Sequence, residues 1–309
     1  MNKLSAIDMR KFIRGIVKEN EPMTMHTTYG VGGPADIYIE PADEADLIEL
    51  LKWTNEQGVP WVVIGDGTNL LVSDIGIRGV VIRMSKPFSR VTIDGERVIA
   101  GSGAILAKVI DAAVDAGLSG LEYATAVPGT IGGAVIMNAG THLGYVGNSV
   151  EEVRVIKADG TVENLSHDDL KFSYRRSALQ GDKSRVVTQA TFRLQPGDKE
   201  YMVRMVQQLK QRRNETQPTI GRSCGCVFKN PDGGKAGQLI EQAGLKGKRL
   251  GDAMIPDRHA NFILNTANAT AADIRGLAEE VRAIVQEKFG IRLEYEVRVI
   301  GDWTGFEKA

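Results

Sequence analysis

The sequence predicts an α+β fold. Stretches with helical spacing and short strand-like runs are mixed without a regular strand–helix–strand repeat. Glycine is abundant, with 35 of 309 residues, so many tight turns between short elements are expected. Hydrophobic residues make up 42% and charged residues 25%, which is the composition of an ordinary globular protein. The length suggests about two domains, and three small ones also fit.

Helices are predicted where apolar residues recur every three to four positions between recognisable ends. The first predicted helix has a leucine-rich face and is followed by Gly58. The last begins after Thr270, a good N-cap residue, and ends before Gly290. The predicted helices cover residues 43–57, 104–116, 201–216, 235–243 and 270–289.

Strands are predicted for short runs that are rich in β-branched residues and bounded by turn signals. Asp94-Gly95 and Asp159-Gly160 each lie between two such runs, which indicates two hairpins. The predicted strands cover residues 59–64, 70–73, 91–93, 97–100, 153–157, 161–165, 186–194, 226–229, 261–264 and 292–300.

Charge and composition exclude several classes of protein. The formal net charge is −1, so no general attraction to nucleic acid or anionic membrane is expected. The first twenty residues lack the uninterrupted apolar core of a secretory signal. Residues 123–150 contain no acidic or basic residue but carry six glycines, which favours a buried wall around a ligand over a membrane span. We therefore expect a cytoplasmic protein without membrane insertion or a nucleic-acid partner.

The cysteines and histidines do not indicate a metal site. Cys224 and Cys226 are one residue apart, which is too close for an ordinary structural disulfide, and two cysteines are too few for a zinc site. The four histidines are scattered without ligand-like spacing. A reducing compartment is the simplest interpretation. Taken alone, Cys226 is better explained by a buried structural thiol than by a reactive one.

Two glycine clusters are candidate ligand-binding segments. Residues 65–69 (GDGTN) lie between two apolar strands, where successive backbone N–H groups suit a phosphate, although a tight turn explains the glycines equally well. Residues 127–134 (VPGTIGGA) would let a flat or phosphorylated ligand approach the backbone. Neither is the G-x-G-x-x-G fingerprint, and residues 101–103 lack its third glycine, so a Rossmann nicotinamide domain is not expected.

Seven short runs follow one another along nearly the whole chain. They are residues 28–35 (TYGVGGPA), 65–71 (GDGTNLL), 127–134 (VPGTIGGA), 137–140 (MNAG), 174–175 (YR), 225–231 (GCVFKNP) and 296–301 (EVRVIG). In their order and in their residues, these runs resemble the UDP-N-acetylenolpyruvoylglucosamine reductase family, MurB. Several runs are individually weak, but seven in one order are specific.

The resemblance implies a two-subdomain FAD-binding fold of the vanillyl-alcohol-oxidase (PCMH) type and a C-terminal α+β substrate domain. The expected boundaries are 1–86 and 87–200 for the FAD-binding subdomains and 201–309 for the substrate domain, whose final strand is a candidate to pack on the first. Noncovalent FAD would accept a hydride from NADPH. UDP-N-acetylglucosamine enolpyruvate would then take that hydride from flavin N5, a step of peptidoglycan precursor synthesis.

The resemblance also implies which residues meet the cofactor. For the flavin diphosphate these are Gly65, Gly67, Thr68, Asn69 and Leu70. Near the isoalloxazine and ribityl groups they are Gly129, Thr130, Gly132, Gly133, Asn138 and Gly140. An uncharged glycine-rich wall and backbone donors agree with the chemistry of such a ligand.

Three residues match the family's catalytic positions. Arg175 would pair with the substrate carboxylate in a fork geometry, and Glu296 would hydrogen-bond the developing enediolate oxygen. Cys226 stands where many members have serine and would donate the proton, since a free thiol with a pKa of ~8.5 is far more acidic than an alcohol. Glu294 lies outside the motif and is an internal control.

Four further residues are candidate substrate contacts. The stretch from Arg175 to Cys226 lacks the insertion that carries an extra tyrosine in one family subclass, so the chain resembles the other subclass. Arg213 is then a candidate for the uridine diphosphate. The remaining candidates are Tyr174, Lys229 and Asn230.

Two other functions remain open from the sequence. One is a different flavin oxidoreductase of the same fold, and the other is a flavin-binding sensor without catalysis. The combination of Arg175, Cys226 and Glu296 favours an enzyme that protonates a carbanion. A sensor would bind the cofactor without turning over NADPH and substrate.

Overall fold

The computed structural model describes residues 6–306. The chain divides into two compact units, each assembled from three separate stretches. The first unit comprises the residues up to 19, 37–65 and 79–213. The second unit comprises residues 20–36, 66–78 and those from 214 onward.

Helices and strands are mixed along the described chain. The helices are α1 (Ala6–Met9), α2 (Glu44–Glu56), α3 (Leu106–Asp115), α4 (Ile131–Ile136), α5 (His167–Leu170), α6 (Lys199–Thr216), α7 (Ala236–Gln242) and α8 (Ala271–Phe289). The strands are β1 (Ile16–Pro22), β2 (Pro34–Glu40), β3 (Trp61–Ile64), β4 (Leu70–Val72), β5 (Ile77–Arg83), β6 (Val91–Asp94), β7 (Arg97–Gly101), β8 (Leu118–Ser119), β9 (Gly140–Thr141), β10 (Gly144–Tyr145), β11 (Val150–Lys157), β12 (Val162–Ser166), β13 (Arg185–Arg193), β14 (Gln195–Pro196), β15 (Arg249–Leu250), β16 (Ala253–Met254), β17 (Leu264–Asn265) and β18 (Arg298–Ile300).

The five predicted helices are confirmed as α2, α3, α6, α7 and α8, with ends within about two residues of those expected. Helix α2 begins after Asp43, whose side chain accepts a hydrogen bond from the Asp46 amide. Helix α8 begins with a capping box between Thr270 and Asp273 and ends at Gly290, which adopts φ 70°. These caps act over three or four residues, and local sequence can therefore predict them.

Two sheets lie largely within the first unit. One has the strand order β1-β2-β5-β3, with β3 and β5 parallel. The other has the order β12-β11-β13-β7-β6 and is antiparallel throughout. Helices α3, α4 and α6 contribute to a core with the second sheet, and α2 contributes to a core with the first. The two predicted hairpins are β6–β7 and β11–β12.

The second unit is built around helix α8. A small sheet has the order β15-β16-β17, and β18 pairs in parallel with β4. The N-terminus of α8 is bound by Asp74, whose carboxylate oxygens accept hydrogen bonds from Ala271 N at 2.9 Å and Ala272 N at 2.8 Å. Tyr29 and Leu71 join residues 224–297 in one apolar core, so distant parts of the chain form this unit.

The strands predicted at 226–229, 261–264 and 292–300 are largely wrong. Of residues 261–264, Leu264 alone lies in a strand, β17. Only Phe228 and Tyr295 form an isolated bridge, and β18 is limited to residues 298–300. Val227 O accepts from Glu296 N at 2.8 Å, but Val227 N donates to the backbone carbonyl of Asn261 at 2.9 Å. Because Val227 N is bonded to Asn261 and not to Glu296, the ladder does not continue through Val227.

Candidate active site

Gly67 lies in the turn after β3, and any other residue at this position would force neighbouring backbone atoms to move. Gly67 adopts φ 64°, and a Cβ at this position would lie 2.0 Å from the carbonyl oxygen of His26. Its own carbonyl accepts a hydrogen bond from Thr28 N at 3.2 Å. The left-handed backbone and the close approach both require glycine. The predicted diphosphate turn is therefore held tightly against residues 26–28.

Asn69 holds the segment that carries Glu296. Its side-chain amide donates to Glu296 O at 3.0 Å, and its carbonyl accepts from Arg298 N at 3.0 Å. The parallel pairing of β18 with β4 continues from this point, with Arg298 opposite Leu70. The amide nitrogen of this predicted cofactor residue thus fixes the backbone at a predicted catalytic residue.

The glycine-rich wall of the first unit packs closely around Thr130. A Cβ at Gly65 would lie 2.3 Å from the Thr130 hydroxyl oxygen, and a Cβ at Gly133 would lie 3.8 Å from it. A Cβ at Gly132 would lie 3.0 Å from the Cβ of Ser102. Gly65 and the segment containing Thr130 were predicted separately as cofactor residues. The fold brings them together because glycine leaves room for the threonine side chain.

Two buried hydroxyl groups accompany this wall. Ser102 is 1% exposed and Thr125 is 6% exposed. Neither side-chain oxygen has a hydrogen-bond partner among residues 6–306. Buried polar groups are almost always hydrogen-bonded, so these hydroxyls are suited to a polar ligand. The sequence offered no signal for them beyond their nearness to the glycine clusters.

Asn138 joins the glycine-rich wall to the predicted catalytic arginine. It is buried, adopts φ 43°, donates from Nδ2 to Ser173 O at 2.8 Å and accepts at Oδ1 from Gly147 N at 2.9 Å. Ser173 directly precedes Tyr174 and Arg175. The side chain of this predicted flavin contact therefore fixes the start of that turn.

Tyr174 and Arg175 lie in a tight turn closed by two backbone hydrogen bonds between Ser173 and Arg176, of 3.0 and 3.1 Å. Arg175 adopts φ 53°, which is unusual for a residue with a Cβ. Its guanidinium lies 5.4 Å from the centre of the Tyr174 ring, and that ring makes an edge contact with Tyr145 at 6.2 Å. The turn thus holds a half-buried guanidinium beside an exposed aromatic ring.

Arg213 already binds the protein backbone. Its Nη1 donates to the carbonyl of Ala126 at 2.5 Å, at the edge of the uncharged segment. Burial lowers the pKa of this guanidinium. Because an arginine has five N–H donors, this contact leaves capacity for an anionic ligand. Its expected role with uridine diphosphate stays a prediction.

Cys226 and Glu296 lie on adjoining segments of the second unit. The carbonyl of Val227 accepts hydrogen bonds from Glu296 N at 2.8 Å and Val297 N at 3.3 Å. Gly225 adopts φ 79°, and a Cβ there would meet no atom within 4 Å, so the backbone before Cys226 faces open space. Glu296 therefore donates its backbone N–H to Val227, the residue that directly follows Cys226. Cys226 and Glu296 are both half-buried.

Glu294 differs from Glu296 in its surroundings. Its carboxylate lies 3.3 Å from Nζ of Lys229, and the glutamate side chain of this pair is 74% exposed. Asn230 accepts from Ala236 N at 3.1 Å, at the start of α7. Glu294 is thus a surface residue, as its place outside the motif indicated. The predicted substrate residues Lys229 and Asn230 also have contacts within the protein.

Cys224 is a buried structural thiol. It is 6% exposed, and its sulfur lies 3.2 Å from both Leu70 O and Thr28 Oγ1. Burial raises its pKa to about 11. It therefore remains a neutral thiol near neutral pH and supports the turn of residues 67–70, a contact that sequence reasoning missed.

In residues 6–306 no three histidine, cysteine or acidic side chains are grouped so that they could hold a metal ion. The same part of the chain contains no helix that is long and apolar enough to cross a membrane.

Comparison with known proteins gives two family models and close relatives. Residues 35–166 match the FAD binding domain model, and residues 217–300 match the model of the UDP-N-acetylenolpyruvoylglucosamine reductase C-terminal domain. The reductase of Heliobacterium modesticaldum is 46% identical over 94% of this chain and 93% of its own length. Reductase 2 of Symbiobacterium thermophilum is 44% identical over 95% of this chain and 96% of its own length.

A solved structure shows the same fold. The reductase MurB from Thermus caldophilus superposes with a TM-score of 0.79 at 37% identity, covering 93% of this chain and 99% of that one. The expected α+β fold, with an FAD-binding domain followed by a C-terminal domain, is confirmed by this match and the two family models.

The residues of the first unit fit FAD. Gly133 is exposed, and a Cβ there would meet only the Thr130 hydroxyl oxygen, at 3.8 Å, so its backbone is open to a planar group. The hydroxyls of Ser102 and Thr125 can bind a diphosphate or a polyhydroxyl chain. Residues 123–150, which contain most of this wall, carry no acidic or basic side chain. Its cofactor is FAD. The chain belongs to the UDP-N-acetylenolpyruvoylglucosamine reductase family of oxidoreductases.

Proposed function

We propose that the protein reduces UDP-N-acetylglucosamine enolpyruvate to UDP-N-acetylmuramate, with NADPH as the hydride donor. Relatives named for this activity match more than nine-tenths of the chain. The observation that carries the proposal is the shared hydrogen bond at Val227, which brings the segments of Cys226 and Glu296 together. The product belongs to peptidoglycan precursor synthesis, and we place the reaction in the cytoplasm.

Cys226 is the proposed proton donor. When bound, FAD supplies the chemistry of accepting a hydride from NADPH and delivering it to the vinyl carbon. The neighbouring carbon of the substrate then carries an electron pair next to the carboxylate. The S–H bond of Cys226 breaks, its electron pair stays on sulfur, and the proton forms the new C–H bond. The thiolate recovers a proton from water.

Arg175 and Glu296 are proposed to stabilise the negative charge that develops on the substrate before this proton transfer. The planar guanidinium of Arg175 can bind both carboxylate oxygens, and its fixed turn limits the directions that it can take. Glu296, if protonated, donates a hydrogen bond to the enediolate oxygen, and its backbone is held by Asn69. Both effects act on charge that develops as the reaction proceeds.

The remaining binding residues are proposed in two groups. The diphosphate of FAD meets the turn that begins at Gly65, and its planar ring packs on the wall around Thr130. The uridine diphosphate of the substrate meets Arg213. Tyr174, Lys229 and Asn230 complete the proposed substrate contacts.

The visible spectrum of the purified protein under anaerobic conditions tests this function. NADPH should bleach the flavin bands, and UDP-N-acetylglucosamine enolpyruvate should restore them. Bands that bleach but do not return would favour another flavin oxidoreductase. Bands that never bleach would favour a flavin-binding sensor, and a protein that stays colourless with added FAD would contradict the cofactor.

A further inference from the structure

Tyr295 lies on the segment that carries Glu296 and faces the segment that carries Cys226. It is opposite Phe228 in an isolated antiparallel bridge, and the two rings stack with their centres 5.4 Å apart. Side chains that are directly opposite each other in an antiparallel pair interact and stabilise the pairing. The contact of these rings therefore helps to set the position of Glu296 relative to Cys226.

The backbone pairing of these segments is short. Val227 O accepts from Glu296 N at 2.8 Å, but Val227 N donates to Asn261 O at 2.9 Å, so the ladder stops at Val227. Stacked aromatic rings are stable over a range of offsets and separations. A directional contact is therefore needed to fix one position of the Glu296 segment.

The hydroxyl of Tyr295 supplies a directional contact. It donates to Glu279 Oε1, on α8, at 3.1 Å. Arg282, almost one turn further along α8, donates from Nη1 to both oxygens of the same carboxylate, at 3.0 and 2.8 Å. Its Nε donates to Leu293 O at 3.0 Å, and its guanidinium lies 5.1 Å from the centre of the Tyr295 ring. Helix α8 thus holds both the Tyr295 side chain and the backbone just before it.

The hydroxyl of Tyr295 lies in a site that is shielded from water. The side chains of Arg282 and Glu279 are 19% and 13% exposed. Burial raises the pKa of Tyr295 above its usual range, and the carboxylate of Glu279 raises it further. The hydroxyl therefore stays protonated near neutral pH and remains a donor. Its bond to an ionised acceptor is stronger than a bond between two neutral groups.

We propose that Tyr295 is a positioning residue for Glu296. Its hydroxyl bond to Glu279 holds the Glu296 segment in one place against the segment of Cys226, so that the carboxyl group meets the enediolate that the thiol protonates. Tyr295 is assigned no contact with the substrate, and no proton leaves it. The effect on the reaction rests on the proposed function, whereas the effect on the position of the segment does not.

The first test measures hydrogen exchange of the Glu296 amide by NMR spectroscopy in the FAD-loaded protein. This amide is bonded to Val227 O, so its exchange rate reports how often the two segments separate. Tyr295→Phe keeps the ring and removes the hydroxyl. We expect about tenfold faster exchange, the size that one hydrogen bond to a charged group predicts.

Tyr38→Phe is the matched control for Tyr295→Phe. Tyr38 is a buried tyrosine on β2, in the first unit, and its hydroxyl also donates to a carboxylate, that of Glu40, at 2.6 Å. The substitution removes the same kind of bond away from the candidate site. Exchange of the Glu296 amide should be the same as in the unsubstituted protein.

The second test concerns the reaction. In Tyr295→Phe the return of flavin absorbance at saturating enolpyruvyl substrate should slow at least about tenfold, because a displacement of about 1 Å can cost about 10²-fold in rate. Bleaching by NADPH and the KM for the enolpyruvyl substrate should be unchanged, since Glu296 acts on charge that develops only during the reaction. Tyr38→Phe should change none of these values.

Two substitutions of Glu279 separate the hydrogen bond from the ring contact. Glu279→Gln keeps an oxygen that can accept from the Tyr295 hydroxyl, and most of the rate of flavin return should remain. Glu279→Ala removes the acceptor and should slow that rate as much as Tyr295→Phe does. Equal rates in the two Glu279 variants would contradict the proposal, and this comparison decides the matter if Tyr295→Phe does not fold.

The outcomes are distinguishable. An unmoved exchange rate of the Glu296 amide in folded Tyr295→Phe overturns the proposal, and so does an unmoved rate of flavin return in a protein that turns over the substrate. Equal changes in Tyr38→Phe also overturn it, because they would reflect a general loss of stability. Faster exchange in Tyr295→Phe, in a protein that never turns over the enolpyruvyl substrate even when unsubstituted, leaves the effect of Tyr295 on the segment standing and overturns the proposed function.

Discussion

Asn138 and Arg175 show how single residues prepare the candidate site. Both adopt a left-handed backbone, with φ of 43° and 53°. For a residue with a Cβ this costs about 1–2 kcal/mol. Asn138 bonds Ser173 O and Gly147 N, and these bonds help to hold the conformation that precedes Arg175. Strain kept at such positions is typical of sites where orientation matters.

Cys226→Ala tests the proton donor. Without the thiol, the return of flavin absorbance with substrate should slow by about 10²–10⁴-fold, the usual contribution of a general acid. Bleaching by NADPH should be unchanged, because it precedes the proton transfer. Stopped-flow absorbance separates the two steps. Cys224→Ala is the matched control, since its buried thiol is bonded to Leu70 O, and an equal loss there would contradict the assignment.

Arg213→Ala separates a substrate role from a structural one. If Arg213 binds the uridine diphosphate, the KM for the enolpyruvyl substrate should rise about 10–100-fold, as for a hydrogen bond to a charged group. The KM for NADPH and the melting temperature should remain close to those of the unsubstituted protein. The exposed neighbour Arg212, changed to alanine, is the control. A lower melting temperature with an unchanged KM would assign Arg213 to the Ala126 contact instead.

At the scale of elements, the parallel pairing of β4 and β18 sets the position of Glu296. Arg298, Val299 and Ile300 lie opposite Leu70, Leu71 and Val72, and Asn69 bonds the carbonyl of Glu296. A slip of one residue would turn the glutamate to the other side of the segment. The turn that starts β4 therefore controls a catalytic position far along the chain.

Gly67→Ala tests that turn. Alanine must adopt φ 64°, which by itself costs about 1–2 kcal/mol, and its Cβ would also press on His26 O. The free energy of unfolding should therefore fall by more than the cost of the backbone conformation. FAD affinity should fall as well. Urea unfolding and FAD titration measure the two effects.

Gly58→Ala is the matched control for Gly67→Ala. Gly58 adopts φ 63°, but a Cβ there would meet nothing within 4 Å. The Gly58→Ala variant should lose only the free energy of unfolding that the left-handed backbone costs, and it should bind FAD normally. Equal losses of stability in the two variants would show that the approach to His26 has no effect.

For the whole molecule, the most consequential feature is that each unit is made of three separate stretches of chain. In the second unit, Tyr29 and Leu71 pack with residues that follow about two hundred positions later. Contacts over such separations form late because the entropy of closing the loop must be overcome first. The proposed turn for FAD, the thiol of Cys226 and the carboxylate of Glu296 all depend on them.

The stability of the whole molecule should depend on His259. Burial lowers its pKa, and its Nδ1 accepts a hydrogen bond from Asn261 N at 3.3 Å. Below about pH 6.5, the unfolded chain takes up a proton at this imidazole more readily than the folded protein. Its stabilising contribution is therefore complete above that pH and is lost as the pH falls below it.

Urea unfolding at several pH values between about 7.5 and 5.5 measures this dependence. His259→Gln should lose less stability on acidification than the unsubstituted protein. His142→Gln, which removes an exposed imidazole, should leave the slope unchanged. A slope that His259→Gln does not alter would contradict the assignment.

The sequence by itself determined the helices, the α+β class and the family. Thr270 and Gly290 mark the ends of α8 because caps and apolar spacing act within a few residues. The seven ordered runs indicated the family because each contains residues whose chemistry or backbone freedom is specific. Glu294 could be separated from Glu296 by the motif alone, and the fold places Glu294 at the surface.

Only the tertiary structure decided what happens between distant segments. Asn261 bonds both backbone groups of Phe228 from 33 residues away, and Asn69 bonds Glu296 across 227 residues. Sequence spacing cannot predict these contacts, because they depend on how the packed core brings separate stretches of chain together.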